Sequence, residues 1–471
     1  GLTLGGPVFA GGEKTAEALG AKAVIDPDLL DEVTSLVEWP EPITAGFEQR
    51  FLEVPHEALI LTMKKNQKYF HLVDGEGRLM NHFITIANID SPTPEAIKEG
   101  NERVIRPRLS DAMFFWQQDG KTPLASHLES LKSVVFQQKL GSMYEKSERV
   151  AGLAARVAGW INGDRDLAHR AGMLSRCDLM TEMVGEFPDM QGVMGRYQAA
   201  RDGEPGELAQ AMEEFYLPRF SGDRLPRTPT GIAISLAERI DTLVGIFSIG
   251  LRPTGDKDPF GLRRAALGAL RIMREHSLPL DLRELLQEAA TGLGEVTDID
   301  RLVQQVYGFM LERLKGIYLE LGFSVNVFEA VAAVQPESIA DFDRRIRAVV
   351  AFEQLPEAEA LAAANKRIRN ILRKTEETPP DTIDESLFEG EEEKQLSEQI
   401  ALKGQRVNSS LDELDYEGVL VSLAELRQPV DHFFDRVMVM AEDTSVRRNR
   451  LALLNRLSAL FLGVADISHL Q

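Results

Sequence analysis

The sequence predicts a mainly α, multidomain chain with a mixed α/β region at its N-terminus. Three observations carry that expectation. Helical periodicity sets in near Ser126 and persists almost to the end. β-rich stretches are confined to His56–Asn88. A chain of 471 residues holds about three or four domains. The expected division is 1–125 (mixed α/β), 126–275 (helical), 276–364 (helical linker or body) and 365–471 (helical).

Taken in order, residues 1–50 read as Gly/Ala-rich coil with one amphipathic helix, Pro27–Val37, whose Leu29, Leu30, Val33 and Val37 share a face. Asp26 suits its N-cap and Pro27 its first turn. Ala58–Met63, Tyr69–Val73 and Phe83–Ala87 read as strands, with Asp74-Gly75-Glu76-Gly77 as a hairpin turn. After a loop at Ser91–Pro94, Arg103, Arg106 and Arg108 precede Phe114, Phe115 and Trp116. That run reads as a nucleic-acid contact or, more commonly for aromatics this dense, as core.

Helices are expected at 126–161, 166–184, 207–216, 229–249 and 259–276. The loop Tyr216–Gly231 alternates Pro218, Pro226 and Pro229 with Arg219, Arg224 and Arg227. Such a stiffened loop can meet phosphate at low ordering cost, and it is equally an ordinary surface loop. In Gly255–Gly268, Asp258 suits an N-cap and Pro259 a first helical position. Leu262, Ala266, Leu267, Leu270 and Met273 then mark a buried face, leaving Lys257, Arg263 and Arg264 to an anion or to surface ion pairs.

Beyond His276 the chain stays helical and grows acidic, until Leu361–Lys374 turns basic. There Lys366, Arg369 and Arg373 share one helical face while Leu361, Ala364, Ile368, Ile371 and Leu372 line the other. Thr375–Glu393 reads as an acidic exposed loop. Two helices, Val419–Ala441 and Asp443–Val464, complete the chain, the second with Arg447, Arg448 and Arg450 near its start.

Composition narrows the function classes. Hydrophobic residues at 44% and charged residues at 27% suit a soluble globular chain. One cysteine, Cys177, excludes an intrachain disulfide and suits a reducing cytosol, so a cytoplasmic location is expected. No apolar run is long enough to span a membrane, and no signal peptide is visible. A glycine in a Gly-rich start is what a trimmed or partial chain would show. The net charge of −21 argues against diffuse nucleic-acid binding but leaves room for a local basic cluster.

Chemistry-bearing constellations are sparse. His169 and Cys177-Asp178, with Asp241 on a later helix, resemble the layout of helical HD phosphohydrolases. Cys177 stands where that layout expects histidine, and Tyr144–Trp160 contains no histidine. Metals used in phosphate hydrolysis prefer oxygen and imidazole ligands, so the scaffold is expected without its metal. No Walker A motif, glycine-rich dinucleotide loop or Ser/His/Asp arrangement is present. Cys177 reads as a core thiol.

Several ordered stretches together carry a resemblance that runs nearly end to end. They are Ser35-Leu36-Val37-Glu38-Trp39-Pro40, Gln67-Lys68-Tyr69-Phe70, Arg106-Pro107-Arg108-Leu109-Ser110-Asp111-Ala112, Phe136–Gly141 and Cys177–Val184 with Gln191–Gly195. Gly255–Gly268, Ala364-Asn365-Lys366-Arg367-Ile368, Phe433–Met440 and Val464–Ile467 complete the set. The sequence resembles the β-subunit family of bacterial heterotetrameric glycyl-tRNA synthetases. The resemblance implies an HD-like helical domain, a body region and a C-terminal helical anticodon-binding domain, in a family longer at its N-terminus than this chain.

It further implies a tRNA-binding subunit of a glycine–tRNA ligase, partnered by an α subunit and glycine tRNA in an assembly of two α and two β subunits. ATP and Mg are then expected at the α subunit, with no cofactor, metal ligand or catalytic residue in this chain. Charge and placement make Lys366, Arg367, Arg369, Arg373, Arg447, Arg448 and Arg450 the expected anticodon-side surface. Asn365 and Asn370 add amides for base recognition. Arg219, Arg224, Arg227, Lys257, Arg263 and Arg264 are a second, acceptor-side expectation. A metal-dependent phosphohydrolase using Asp178 and Asp241, and a pure scaffold for α, are the competing expectations.

Overall fold

The computed structural model describes residues 5–375 and 378–471. It is mainly α and divides into two units, residues 1–158 with 163–235, and residues 159–162 with 236–471.

The first unit opens with helices α1 (Gly5–Glu17) and α2 (Pro27–Leu36) around the short strand β1 (Lys22–Ala23). The α1 segment was expected as coil; its four glycines lower its helix propensity, so local preference alone does not reveal the helix. At α2 the expectation holds, for the Asp26 carboxylate accepts the Leu29 N–H at 3.0 Å and Pro27 opens the helix. Strands β2 (Glu41–Gly46), β3 (Phe70–Val73) and β4 (Leu79–Ala87) complete an antiparallel sheet ordered β1-β3-β4-β2. Asp74 organises the β3–β4 turn by accepting the Glu76 and Arg78 N–H groups, both at 2.9 Å, and Gly77 supplies the left-handed residue at φ 80°.

Alternation sends neighbouring strand residues to opposite faces. Phe83 and Tyr69 join Phe51, Leu59 and Met63 on one side, whereas Ile84, Phe70 and Leu72 meet Leu29 and Val33 on the other. The segment expected as the strand Ala58–Met63 is helix α3 (His56–Leu61) followed by a wider turn to Asn66. A short apolar run has no decisive period, and burial of Ala58, Leu59 and Met63 is met by a helix as well as by a strand.

Helix α4 (Pro94–Asp119) is one long element despite Pro107. Ile105, Leu109 and Ala112 bury its inner face, and the aromatic run divides: Phe115 and Trp116 pack on the core while Phe114 is exposed. After a small hairpin, β5 (Val135–Gln137) and β6 (Gly141–Ser142), come α5 (Met143–Trp160) and α6 (Arg165–Leu174). The expected helix 166–184 stops at Leu174. Thr181 accepts the Val184 N–H at 3.3 Å and starts a separate helix, α7 (Glu182–Glu186), so side-chain capping interrupts the run. Helices α8 (Val193–Arg201), which the sequence reading missed, and α9 (Gly206–Glu214) follow, and the unit boundary falls within α10 (Pro229–Ser248).

The second unit contains α11 (Leu262–Glu275), α12 (Leu282–Gly292), α13 (Ile299–Glu320), α14 (Val325–Ala332) and α15 (Ile339–Glu353). Helix α11 starts three residues later than Pro259 suggested. The left-handed Gly261 caps it, and the Asp258 carboxylate reaches forward to the N–H groups of Leu262 at 2.8 Å and Arg263 at 2.9 Å. Leu267, expected inside, is exposed.

Next come α16 (Ala358–Lys374), α17 (Glu391–Asp412), α18 (Tyr416–Ala424), α19 (Arg427–Arg436) and α20 (Thr444–Leu462). Helix α17 was not anticipated; the part of the preceding acidic loop at residues 376–377 lies outside the described residues. The single helix expected over Val419–Ala441 is α18, α19 and an extended tail. Pro429 cannot follow the carbonyl of Glu425 in a continuous helix, so the break falls between them. Arg345 ties this part together, donating to Gly463 O at 2.8 Å, Val464 O at 2.9 Å, Asp341 at 2.7 Å and the Tyr416 hydroxyl at 3.1 Å.

Candidate nucleic-acid interface

Helix α16 forms because an alanine- and leucine-rich inner stripe, Leu361, Ala362, Ala364 and Ile368, is buried along its length. The same spacing pushes its cations outward. Lys366, Arg367, Arg369, Arg373 and Lys374 are all exposed. Ala363, Lys366, Arg367, Asn370, Ile371 and Lys374 line an open hollow of about 360 Å³. Among the described residues no carboxylate pairs with Lys366, Arg367 or Lys374. The Arg367 guanidinium lies 4.3 Å over the Phe434 ring of α19, which holds its charge beside the hollow.

The expected surface is therefore rotated. Arg369 leans away, onto the buried carboxylate of Asp466. Arg373 donates to Asn370 Oδ1 at 3.3 Å. Asn365 is buried and donates to Leu361 O at 3.0 Å, so its amide is unavailable for base recognition. Lys374 was missed as a candidate, although its spacing of three from Ile371 and eight from Lys366 marks the same face.

Of the three arginines near the start of α20, Arg448 is exposed. Arg447 donates to Ala441 O at 2.8 Å and Glu442 O at 3.3 Å, fastening the segment before the helix. Arg450 corrects the sequence reading. It is buried, and it donates to Glu393 at 2.7 and 3.1 Å, to Glu389 at 2.8 Å and to Met438 O at 3.0 Å. Its charge serves the interior of the domain, where an unpaired guanidinium would be costly.

The acceptor-side candidates fall in two places. Arg219, Arg224 and Arg227 are exposed on a loop whose turn is fixed by Asp223, which accepts the Arg219 and Arg224 N–H groups, each at 2.8 Å. The Arg224 side chain pairs with Glu213. Lys257 and Arg264 are exposed, whereas the half-buried Arg263 donates to Gly255 O and braces the turn before α11.

Of the residues of the HD-like layout, Cys177, Asp178 and Asp241 are buried. His169 is exposed on α6. The fully buried Asp178 accepts the N–H groups of Gly192 at 2.6 Å and Gly195 at 3.2 Å. Burial pushes its carboxyl up to about 6 against those two donors. Burial likewise pushes the Cys177 thiol up to about 12, the behaviour of an inert interior thiol. Among the described residues no three His, Cys, Asp or Glu side chains gather as metal ligands. No described helix is long and apolar enough to cross a membrane.

Comparison with known proteins places these features in context. Residues 8–333 match the family model described as glycyl-tRNA synthetase beta subunit, and residues 361–464 match the DALR anticodon binding domain. A glycine–tRNA ligase beta subunit of Marinobacter nauticus is 54% identical over 450 residues, which cover 95% of this chain and 65% of that protein. The corresponding proteins of Pseudomonas aeruginosa and Chromohalobacter salexigens are each 53% identical over 456 residues, covering 97% of this chain and 66% of theirs. The chain thus spans slightly less than two thirds of the length of these relatives.

Proposed function

The chain belongs to the glycyl-tRNA synthetase beta subunit family, and from that premise we propose that it is the tRNA-binding part of a glycine–tRNA ligase. Its companion is an α subunit that binds ATP and Mg and activates glycine, in an assembly of two α and two β subunits in the cytoplasm. The contribution of this chain is to hold and orient glycine tRNA so that its acceptor end meets the activated amino acid.

The observation that carries this reading is the outward face of α16. Lys366, Arg367, Asn370 and Lys374 line one hollow of a helix inside the residues that match an anticodon-binding domain. Ammonium groups neutralise phosphates and release counterions, which supplies affinity. A guanidinium held over an aromatic ring, with an amide one turn away, suits the stacking and edge recognition of unpaired bases in a loop. Arg448 extends this anticodon surface. Arg219, Arg224 and Arg227 in the first unit are one acceptor-side contact, and Lys257 and Arg264 in the second unit are another, each taken by itself.

Aminoacylation tests the reading. Purified α subunit with this chain should charge glycine tRNA faster than α alone, and the chain should retain glycine tRNA on a filter in preference to another tRNA. Equal retention of both tRNAs would leave it a scaffold and refute the recognition role.

A further inference from the structure

A second surface lies far in character from the basic helix. At one end of the N-terminal sheet Leu36, Trp39 and Ile89 are 64%, 61% and 58% exposed. Their proximity follows from strand register. Glu41 of β2 pairs with Ala87 of β4 and Pro42 with Ile86, so the chain entering β2 and the chain leaving β4 meet at this end of the sheet. The Asn88 side chain fixes this end, its Oδ1 accepting the N–H groups of Glu38 at 2.7 Å and Trp39 at 2.8 Å. Leu36 closes α2 just three residues before Trp39.

Single exposed apolar side chains need no explanation, but three held together do. Their combined exposure is on the order of 350 Å², within the range where the largest patch on a monomer is commonly functional. It is smaller than the roughly 800 Å² per side of a standard interface, so the patch fits as the apolar centre of a wider, polar-rimmed contact. Tryptophan is a preferred anchor at such centres.

The rim selects the partner. Glu38 and Asp90 are exposed around the patch, while Glu32 on α2 is paired with Lys68 at 2.8 Å. Phosphate would be repelled here, unlike at α16. A second copy docking by two-fold symmetry would bring the same acids face to face, an arrangement that like charges oppose. A different protein with basic residues around an apolar pocket meets neither objection.

We propose that Leu36, Trp39 and Ile89 are the apolar centre of a protein–protein interface, occupied by the companion α subunit through a pocket bordered by lysine or arginine. The identity of the partner rests on the ligase reading above.

The test measures binding of this chain to immobilised α subunit. The double variant Trp39→Ser/Ile89→Ser should bind at least about tenfold more weakly, with tRNA affinity and thermal midpoint unchanged. The variant Glu38→Lys/Asp90→Lys should associate more slowly at low salt, the difference closing as salt rises. It keeps the test decisive should the first variant melt early. Equal α binding by both variants and the parent would overturn the interface and leave the ligase reading standing. A parent chain that binds tRNA but not α would overturn the interface too. Loss of tRNA binding on changing the patch would assign it to RNA, and a sedimentation shift without α would assign it to a second copy; either result overturns the proposal. Failure of α plus parent chain to charge tRNA would instead refute the ligase reading.

Discussion

Arg450 and Glu393 form a two-point ion pair inside the C-terminal domain, with guanidinium nitrogens 2.7 and 3.1 Å from the two carboxylate oxygens and both side chains withdrawn from water. The same carboxylate accepts the N–H groups of Glu389 at 2.9 Å and Gly390 at 3.0 Å, which caps α17. One acid thus joins the start of α17 to the second turn of α20.

Removing one partner of a buried pair strands the other, at a cost of about 3–5 kcal/mol. Arg450→Ala should therefore lower the thermal midpoint sharply, while the protein that stays folded in the cold keeps its tRNA affinity. Burial acts to raise the Glu393 carboxyl, and the Arg450 and backbone hydrogen bonds outweigh it, leaving the group below its ordinary value of 4.5. A depressed carboxyl stabilises the fold fully above the unfolded value, and that contribution is lost as pH falls through the folded value. Denaturant titrations of parent and variant should therefore converge in acid.

The two sides of α16 should separate by salt. Lys366→Ala/Lys374→Ala should weaken tRNA binding and flatten the dependence of log affinity on log salt by about 1 per lost phosphate contact. Arg369→Ala, which removes the partner of buried Asp466, should instead lower stability with little change in that slope. Filter binding between 50 and 200 mM salt, over which the Debye length falls from about 14 to about 7 Å, reads both effects. Identical slopes for the two variants would contradict this division.

Asp178 gives the opposite pH behaviour to Glu393. Its carboxyl is raised from 3.8 to about 6, so ionisation burdens the folded state. The burden is absent below the unfolded value and complete above the folded one. Asp178→Asn should accordingly gain stability relative to the parent as pH rises from 4 to 7, by up to about 3 kcal/mol for a shift of this size. Melting curves across that range check it, and a constant difference would show that Asp178 does not titrate there.

Gly172 lets α6 approach α5. A methyl group at this position would stand 2.6 Å from the Ala151 Cα and 3.0 Å from its nitrogen. Backbone cannot yield as a side-chain tip does, so Gly172→Ala should cost about 1–3 kcal/mol through overpacking, despite the higher helix propensity of alanine. Chemical denaturation measures it; a stabilised variant would mean that the helices can part freely.

Local signals in the sequence were enough for several elements. Asp26-Pro27 sets a helix start and Asp74–Gly77 a turn because the deciding hydrogen bonds lie within four residues. The basic outward side of α16 was legible for the same reason, since one helix carries both its buried and its charged stripe. Arg450 was not, because its charge is visible in the sequence while its partner Glu393 lies 57 residues away. Arg369 and Asp466 repeat that lesson. Helix α3 was misread because the packing of Leu59 and Met63 on Phe83 and Ile105, distant in the chain, overrides the local preference.

The buried Cys177 has a practical consequence. It is the chain's single cysteine, and a thiol pushed up to about 12 is almost wholly protonated near neutral pH. Maleimide dyes and spin labels should pass it by, so this sequence should serve as a cysteine-free background. A thiol introduced by Lys374→Cys or Asp90→Cys would then report from one chosen surface at a time, with no further engineering.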